Sequence, residues 1–171
     1  MPDNPNLTLV IGGARSGKSS HGERLIEAHA PPWIYVATAQ ALDEEMKQRI
    51  SAHQKRRDER WKTIEAPLDL VSAMEKKSGD RPVLIDCLTL WLTNHLMNGA
   101  DLRQECLSLQ QTLSSRAGPT VVITNEVGQG IVPADAMTRE FRDAAGRLNQ
   151  MIASVSGSVV QMVAGIAVKV K

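Results

Sequence analysis

The segment 12–19 limits what this chain can fold into more than any other feature. It reads Gly-Gly-Ala-Arg-Ser-Gly-Lys-Ser and matches the phosphate-loop pattern GxxxxGK[ST] at every specified position. An apolar, β-branched run at 7–11 precedes it, and a stretch with helical spacing at 19–29 follows it. A strand that turns through glycines into a helix points backbone N–H groups at anionic oxygens. The segment therefore predicts a site for nucleotide phosphates, against the alternative of a chance glycine-rich turn.

Three side chains have specific roles in such a site. Lys18 can reach the β- and γ-phosphates, and the Ser19 hydroxyl can ligate Mg²⁺. Asp86 ends a second apolar run, 83–85. A carboxylate at a strand end can hold the same metal ion, directly or through water, or it can cap the following helix. We favour the metal role, because phosphates bound at segment 12–19 require a metal partner.

Apolar strands and helical stretches alternate along all 171 residues. This alternation predicts an α/β fold of the P-loop NTPase (RecA-like) type, in three layers, with a mostly parallel sheet covered on both faces. An antiparallel edge hairpin is predicted at the C-terminus, and residues 1–171 are expected to form one domain. We predict strands at 7–11, 33–37, 82–86, 120–124, 159–164 and 166–170, and helices at 19–29, 41–57, 67–77, 87–96, 102–116 and 137–155.

Charge, hydropathy and cysteine content indicate which binding partners and which cellular location to expect. The formal net charge is +1, so bulk electrostatics give no reason to expect nucleic acid. No apolar stretch approaches the roughly 20 residues of a membrane helix, and the polar start of the chain does not resemble a signal peptide. Cys87 and Cys106 form no CxxC pair, and we expect both to be reduced thiols in a cytoplasmic protein.

The predicted helix 41–57 is basic and carries one histidine. His53 lies four residues after Arg49 and four before Arg57. Guanidinium groups can clamp phosphate oxygens, and their charge keeps a neighbouring imidazole neutral and nucleophilic. A neutral imidazole can attack phosphorus and carry the group covalently. A lone histidine on a basic helix is more often a solvated surface residue, and the residues alone leave both readings open.

Several motifs occur in this chain in the same order as in one known family, and they extend over nearly the whole chain after Asn6. Beside segment 12–19 they are Ala37-Thr38-Ala39, Arg49-Ile50-x-x-His53, Trp61-x-Thr63-x-Glu65, Asp86-Cys87-Leu88-Thr89, Thr124-Asn125-Glu126-Val127-Gly128-x-Gly130-Ile131-Val132-Pro133, Phe141-Arg142-Asp143-x-x-Gly146-Arg147-x-Asn149-Gln150 and Gly165-Ile166. The chain resembles the bifunctional adenosylcobinamide kinase/adenosylcobinamide-phosphate guanylyltransferases of cobalamin biosynthesis. The run from Asn125 to Pro133 is the most specific of these motifs.

The resemblance implies two reactions in one enzyme. ATP or GTP first phosphorylates the aminopropanol hydroxyl of adenosylcobinamide. GTP then gives its GMP to an enzyme histidine, and the phosphorylated corrinoid takes the GMP to form adenosylcobinamide-GDP. The guanylylated histidine of the family corresponds to His53. The resemblance also implies a homo-oligomer, since family members can assemble as trimers.

The resemblance further implies which residues contact the nucleotide and Mg²⁺. Catalysis is expected to use His53 and Lys18, and the metal ligands are expected to be Ser19 and Asp86. The full set expected to bind nucleotide is Gly12, Gly13, Ala14, Arg15, Ser16, Gly17, Lys18, Ser19, Ala37, Thr38, Ala39, Gln54, Lys55, Arg56, Arg57, Glu65 and Asp86. Asn125 and Glu126 are expected at the carboxyl end of a strand, where open α/β sheets bind ligands.

Two other functions are compatible with a phosphate loop. A P-loop kinase that only phosphorylates a small molecule would need no covalent histidine. A GTP-binding switch would need the guanine-reading motif Asn-Lys-x-Asp, which is absent from the sequence. The stretch 143–146 matches the switch motif DxxG, but it falls within a predicted helix, so we interpret the match as chance.

Overall fold

A computed structural model describes residues 3–41, 43–55 and 57–171, without the side chains at positions 49, 52 and 53. The strands are β1 (Asn4–Gly12), β2 (Trp33–Ala37), β3 (Trp61–Glu65), β4 (Val83–Asp86), β5 (Thr120–Asn125), β6 (Ser156–Val163) and β7 (Ile166–Lys169). They form one seven-stranded sheet in the order β3-β2-β4-β5-β1-β6-β7. Neighbouring strands are parallel except β6 and β7, which pair antiparallel. The predicted, mostly parallel sheet with a C-terminal edge hairpin is confirmed.

The helices alternate with the strands as predicted. They are α1 (Lys18–Glu27), α2 (Glu44–Lys55), α3 (Leu70–Ser72) continued by a π-helical segment (Ala73–Lys77), α4 (Leu88–Met97), α5 (Leu102–Ser115) and α6 (Ala136–Val155). Asp101 and Asp135 cap α5 and α6, because each side chain accepts hydrogen bonds from backbone N–H groups in the first turn. The DxxG match at 143–146 lies inside α6, which agrees with its interpretation as chance.

Two differences from the predicted elements affect the site. No strand is predicted from the sequence at β3, which pairs with β2 at the edge of the sheet and exposes Lys62, Thr63 and Glu65. The helix predicted at 41–57 ends at Lys55, so Arg57 follows the helix instead of lying on its face.

The sheet is buried on both faces, and successive residues of a strand face opposite layers. On β4, Val83 and Ile85 belong to the core under α4, α5 and α6, whereas Leu84 belongs to the core under α1. This burial on both faces explains why the central strands are continuous apolar runs rather than alternating ones. None of the helices in the described part of the chain has the length and apolar character needed to cross a bilayer.

Helix α1 lies close to the sheet because Gly22 has no side chain. A Cβ at this position would be 2.9 Å from Leu84 Cδ1 and 3.1 Å from Ile123 Cδ1. These distances are shorter than van der Waals contact, so a larger residue would push α1 away from β4 and β5. The start of α1 carries Lys18 and Ser19, and the packing at Gly22 therefore helps to place the phosphate loop.

We expect Gly22→Val to lower the free energy of unfolding by about 1–3 kcal/mol, because it overpacks the contact between α1 and the sheet. Gly146→Ala is the matched control, since a Cβ there meets no atom within 4 Å in the middle of α6. The control should be neutral or stabilising by up to about 1 kcal/mol. Urea unfolding of both variants measures the difference, and equal stability of the two variants would contradict the packing described here.

Candidate active site

The loop 13–17 connects the end of β1 to the start of α1. Gly12 is the last residue of β1 and Lys18 is the first of α1, so the strand-to-helix context predicted for the phosphate loop is confirmed. Gly17 is the N-cap residue and has a φ of 93°, which glycine adopts without strain. A Cβ at Gly12 would lie 2.6 Å from the Met162 carbonyl oxygen on β6. Glycine is thus required at this close approach of β1 to β6.

The loop is open to solvent on one side and anchored on the other. Gly13, Ala14 and Arg15 are exposed, whereas Ser16 is buried. The Ser16 carbonyl oxygen accepts a hydrogen bond of 3.1 Å from the backbone N–H of Gly165, in the turn between β6 and β7. The C-terminal hairpin therefore holds the phosphate loop in place.

Lys18 extends across this loop. Its ammonium group donates to the Gly13 carbonyl oxygen and, at 3.4 Å, to Ser16 Oγ. Burial lowers the pKa of Lys18, and the nearby Asp86 carboxylate opposes the shift. A buried cation that lies over a loop of backbone amides is placed to neutralise bound phosphate oxygens.

Asp86 connects the phosphate loop to two strands. Its Oδ2 atom accepts a hydrogen bond of 2.8 Å from Ser19 Oγ on α1 and one of 3.1 Å from the Tyr35 hydroxyl on β2. Burial and the Asp86 charge raise the pKa of Tyr35, so the phenol stays protonated and donates. Tyr35 is not predicted from the sequence to be a site residue, because its position in an apolar run indicates only a core aromatic.

The donors around Asp86 suit magnesium. Ser19 and Asp86 contribute oxygen atoms, which Mg²⁺ prefers, and the ion usually takes only one or two protein carboxylates beside substrate phosphates. Within residues 3–41, 43–55 and 57–171, no three His, Cys, Asp or Glu side chains cluster to form a protein-only metal site. The residues present therefore fit a metal ion that is shared with nucleotide phosphates.

Three predicted site residues lie in one row at the carboxyl edge of the sheet. Ala37 on β2 is in register with Glu65 on β3 and with Asp86 on β4. Ala39 lies just beyond this row in the connection from β2 to α2, and it is partly buried. Parallel strands end at the same edge, so the fold itself brings together residues that are far apart in sequence.

Thr38 is held by hydrogen bonds to both its side chain and its backbone. Its hydroxyl donates to the Cys87 carbonyl oxygen and accepts from the Cys87 N–H, both at 2.8 Å. Its carbonyl oxygen accepts from Asn94 Nδ2 at 2.9 Å, and the residue is fully buried. Asn94 was not identified from the sequence. Thr38 therefore fixes the strand ends beside Asp86, with its side chain turned away from solvent.

The basic helix is α2, and His53 lies in its last turns. Gln54 and Lys55 are exposed at its end. Arg56 lies outside the described residues, as do the side chains of His53 and Arg49. The Arg57 guanidinium carbon lies 3.3 Å from the centroid of the Tyr35 ring. The helix end that carries His53 is thus connected to Tyr35, and through Tyr35 to Asp86.

The loop after β5 borders the phosphate loop from the other side. The Glu126 N–H donates to the Gly12 carbonyl oxygen at 3.1 Å, and one Glu126 carboxylate oxygen accepts from the Gly128 N–H at 2.6 Å. Asn149 on α6 donates to the Asn125 carbonyl oxygen at 3.1 Å. Asn125 and Glu126 therefore lie at the carboxyl edge as expected, and the Glu126 side chain shapes the turn.

The parallel sheet, the glycine-bearing loop and the Ser19–Asp86 pair define a P-loop protein of the α/β class. The model of the cobinamide kinase / cobinamide phosphate guanyltransferase family matches residues 8–170. The chain belongs to this family. Both the resemblance seen in the motifs and the expected class of enzyme, a bifunctional kinase and nucleotidyltransferase, are confirmed.

Curated relatives agree over almost the whole chain. The chain is 41% identical over 166 residues to the bifunctional adenosylcobalamin biosynthesis protein CobP of Pseudomonas aeruginosa. This alignment covers 95% of this chain and 96% of that protein. It is 39% identical over 181 residues to the bifunctional adenosylcobalamin biosynthesis protein CobU of Escherichia coli K12. This second alignment covers 96% of this chain and 99% of that protein.

Solved structures support the fold alone. The flagellar accessory protein FlaH of Methanocaldococcus jannaschii has a TM-score of 0.52 at 14% identity, over 99% of this chain and 80% of that one. An ATPase from the type III secretion system of pathogenic bacteria has a TM-score of 0.53 at 12% identity, over 96% of this chain and 57% of that one. The predicted P-loop NTPase fold is thereby confirmed.

Both cysteines are free and buried, as expected for core thiols. Cys87 is 7% exposed and Cys106 is 6% exposed, and burial raises the pKa of each thiol to about 11. At pH 8 only about one thiol in a thousand would then be the reactive thiolate. We expect the native protein to react very slowly with Ellman's reagent at pH 8, and faster as the pH rises toward 11.

The unfolded protein is the control for this measurement, because unfolding removes the burial that raises both pKa values. In guanidinium chloride at pH 8, both thiols should react within minutes. Rapid reaction of the native protein at pH 8 would show that at least one of the thiols is less protected than the structure indicates.

Proposed function

We propose that this chain phosphorylates adenosylcobinamide with ATP or GTP and then transfers GMP from GTP, through a His53–GMP intermediate, to give adenosylcobinamide-GDP. The observation that carries the proposal is the hydrogen bond of 2.8 Å between Ser19 and Asp86. Asp86 ends β4, which pairs with β2, and the histidine helix α2 follows β2 in the chain. This contact places the phosphate loop and the candidate metal ligands at the same edge of the sheet as the carboxyl end of β2.

In the kinase step, the corrinoid's aminopropanol hydroxyl oxygen attacks the γ-phosphorus and loses its proton, and the nucleoside diphosphate leaves. The backbone amides of loop 13–17 and the Lys18 ammonium hold the negative phosphates, which would otherwise repel the attacking oxygen. We propose that Ser19 and Asp86 hold Mg²⁺ beside these phosphates. When bound, the ion neutralises charge on the phosphate oxygens.

In the transfer step, an imidazole nitrogen of His53 attacks the α-phosphorus of GTP and pyrophosphate leaves. A phosphate oxygen of the phosphorylated corrinoid then attacks the same phosphorus, and the P–N bond breaks to release free imidazole. The attacking ring must be neutral, because only an unprotonated imidazole nitrogen has the lone pair that attacks phosphorus. Splitting the reaction into two displacements allows two bulky substrates to use the site in turn.

The placement of α2 supports this role for His53. Helix α2 is the element that follows β2 along the chain, and Arg57, four residues after His53, lies against the ring of Tyr35. The helix that carries the histidine therefore follows the strand of Tyr35, and the chain contacts Tyr35 again two residues after the helix ends. We propose that GTP binding moves this segment so that His53 reaches the α-phosphorus. Nucleotide contacts by Gln54, Lys55, Arg56, Arg57 and Glu65 belong to the same proposal.

Two further expectations are proposals of the same kind. The free thiols of Cys87 and Cys106 support a cytoplasmic location, since the cytosol keeps thiols reduced. The exposed apolar side chains of Ile166 and Val168 on the edge strand β7 support assembly into a homo-oligomer such as a trimer.

We expect wild-type protein incubated with GTP labelled at the α-phosphate, without corrinoid, to become covalently labelled, and the label to be released by acid. The His53→Ala variant should take up no label, because it lacks the attacking nitrogen. His29→Ala is the matched control, since His29 is an exposed histidine that precedes β2, and it should be labelled like wild type.

The same labelling experiment separates the proposal from its rival. Persistent labelling of His53→Ala would move the nucleophile elsewhere. Wild-type protein that phosphorylates adenosylcobinamide but never becomes labelled would leave only the kinase function.

A further inference from the structure

We infer that Tyr35 is a positioning residue for both parts of the site. Its hydroxyl orients the metal-binding oxygen of Asp86, and its ring holds Arg57, just after the helix that carries the histidine. The inference rests on the proposed function, in which Asp86 holds Mg²⁺ and α2 carries the nucleophile. Its two halves rest on two different parts of the side chain, the hydroxyl and the ring face.

The hydroxyl end fixes the carboxylate. The Tyr35 O–H and the Ser19 O–H both donate to Asp86 Oδ2, at 3.1 Å and 2.8 Å. Two donors from different elements, β2 and α1, restrict rotation of the carboxylate about its last bond. Tyr35 is only 5% exposed, so its hydroxyl cannot readily exchange this acceptor for water. Loss of the phenol oxygen would leave Ser19 as the only described hydroxyl that orients Oδ2.

The ring face holds the chain after α2. The Arg57 guanidinium carbon lies 3.3 Å from the ring centroid, a cation–π arrangement. The Arg57 N–H donates at 3.2 Å to the Gln54 carbonyl oxygen, which ties Arg57 to the last turn of the helix. The Trp61 ring packs edge-on against Tyr35, with centroids 6.4 Å apart, and keeps the ring from turning. The ring therefore holds Arg57, two residues beyond the end of α2.

Arg57 also has an unused donor. Its Nη1 atom is buried and has no hydrogen-bond partner among the described residues. A buried guanidinium nitrogen without an acceptor is costly, so such a group in a native structure requires an explanation. A phosphate oxygen of the nucleotide would supply the acceptor. Tyr35 would then present Arg57 to the nucleotide at the same time as it orients Asp86.

Two substitutions separate the two halves. Tyr35→Phe removes the hydroxyl and keeps the ring, so it should weaken only the orientation of Asp86. Tyr35→Leu removes both the hydroxyl and the aromatic face, so it should also release Arg57. Trp33→Phe is a control on the same strand: Trp33 is buried and packs against Trp61, and its described hydrogen bond goes to the His29 carbonyl oxygen instead of Asp86.

The first readout is the affinity for a non-hydrolysable GTP analogue, measured by calorimetry with Mg²⁺ and with EDTA. We expect Tyr35→Phe to lose about tenfold in affinity with Mg²⁺, the value of one hydrogen bond to a charged group, and to bind like wild type in EDTA. Trp33→Phe should keep the wild-type ratio of the two affinities. A general loss of structure would weaken binding under both conditions, so the ratio isolates the role of the hydroxyl.

The second readout is the rate of covalent labelling by α-labelled GTP at saturating nucleotide. Tyr35→Leu and Arg57→Ala should each slow it by about fivefold or more, and the double variant should be no slower than the slower single one, because both remove the same contact. Tyr35→Phe keeps the ring against Arg57, so it should slow labelling less than Tyr35→Leu does.

The inference is overturned if Tyr35→Phe, folded like wild type by thermal unfolding, keeps the full Mg²⁺-dependent gain in affinity. It is also overturned if the effects of Tyr35→Leu and Arg57→Ala simply multiply. Failure of the proposed function gives a different result: wild-type protein itself is then not labelled, while the calorimetric comparison of Tyr35→Phe still tests the link to Asp86.

Discussion

One carboxylate oxygen, Oδ2 of Asp86, accepts hydrogen bonds from the helix that follows the phosphate loop and from the strand that precedes the histidine helix. A carboxylate at the end of a buried strand is stable only when charge or hydrogen bonds compensate its partial desolvation. Ser19, Tyr35 and the positive charge of Lys18 provide that compensation. The same three groups lie where nucleotide phosphates and a metal ion would bind, so the requirements of the fold and of the chemistry coincide at Asp86.

This arrangement depends on the parallel sheet and its strand order. Because β2, β4, β5 and β1 are consecutive in the sheet and run the same way, their carboxyl ends meet at one edge. Close packing then fixes the two sides of the phosphate loop: Gly12 allows β1 to approach β6, and Gly22 allows α1 to approach β4 and β5. Packed elements thus support the phosphate loop and Asp86, while the proposed nucleophile lies on α2, a helix with many exposed residues.

The sequence was sufficient for features that depend on local pattern. The phosphate loop, the buried strands and the edge hairpin follow from glycine positions and continuous apolar runs, and the motifs correctly indicated the family. The sequence was insufficient for features that depend on which segments meet in the folded chain. β3 is a short edge strand whose polar side chains face solvent, and Tyr35 looks like any core aromatic until its hydroxyl is seen to reach a carboxylate on another strand. The periodicity of the sequence predicts Arg57 on the face of a helix, but the helix ends at Lys55. Nucleotide binding by the individual site residues stays a prediction.

A crystal structure with Mg²⁺ and a GTP analogue that carries a methylene bridge between the α- and β-phosphorus atoms would probe most directly whether a single nucleotide pocket serves both reactions. We expect the triphosphate on the backbone amides of loop 13–17, the metal ion between Ser19 and Asp86, and the His53 imidazole about 3–3.5 Å from the α-phosphorus. A triphosphate bound away from this loop, or a His53 ring that remains far from every phosphorus atom in the complex, would contradict the shared pocket.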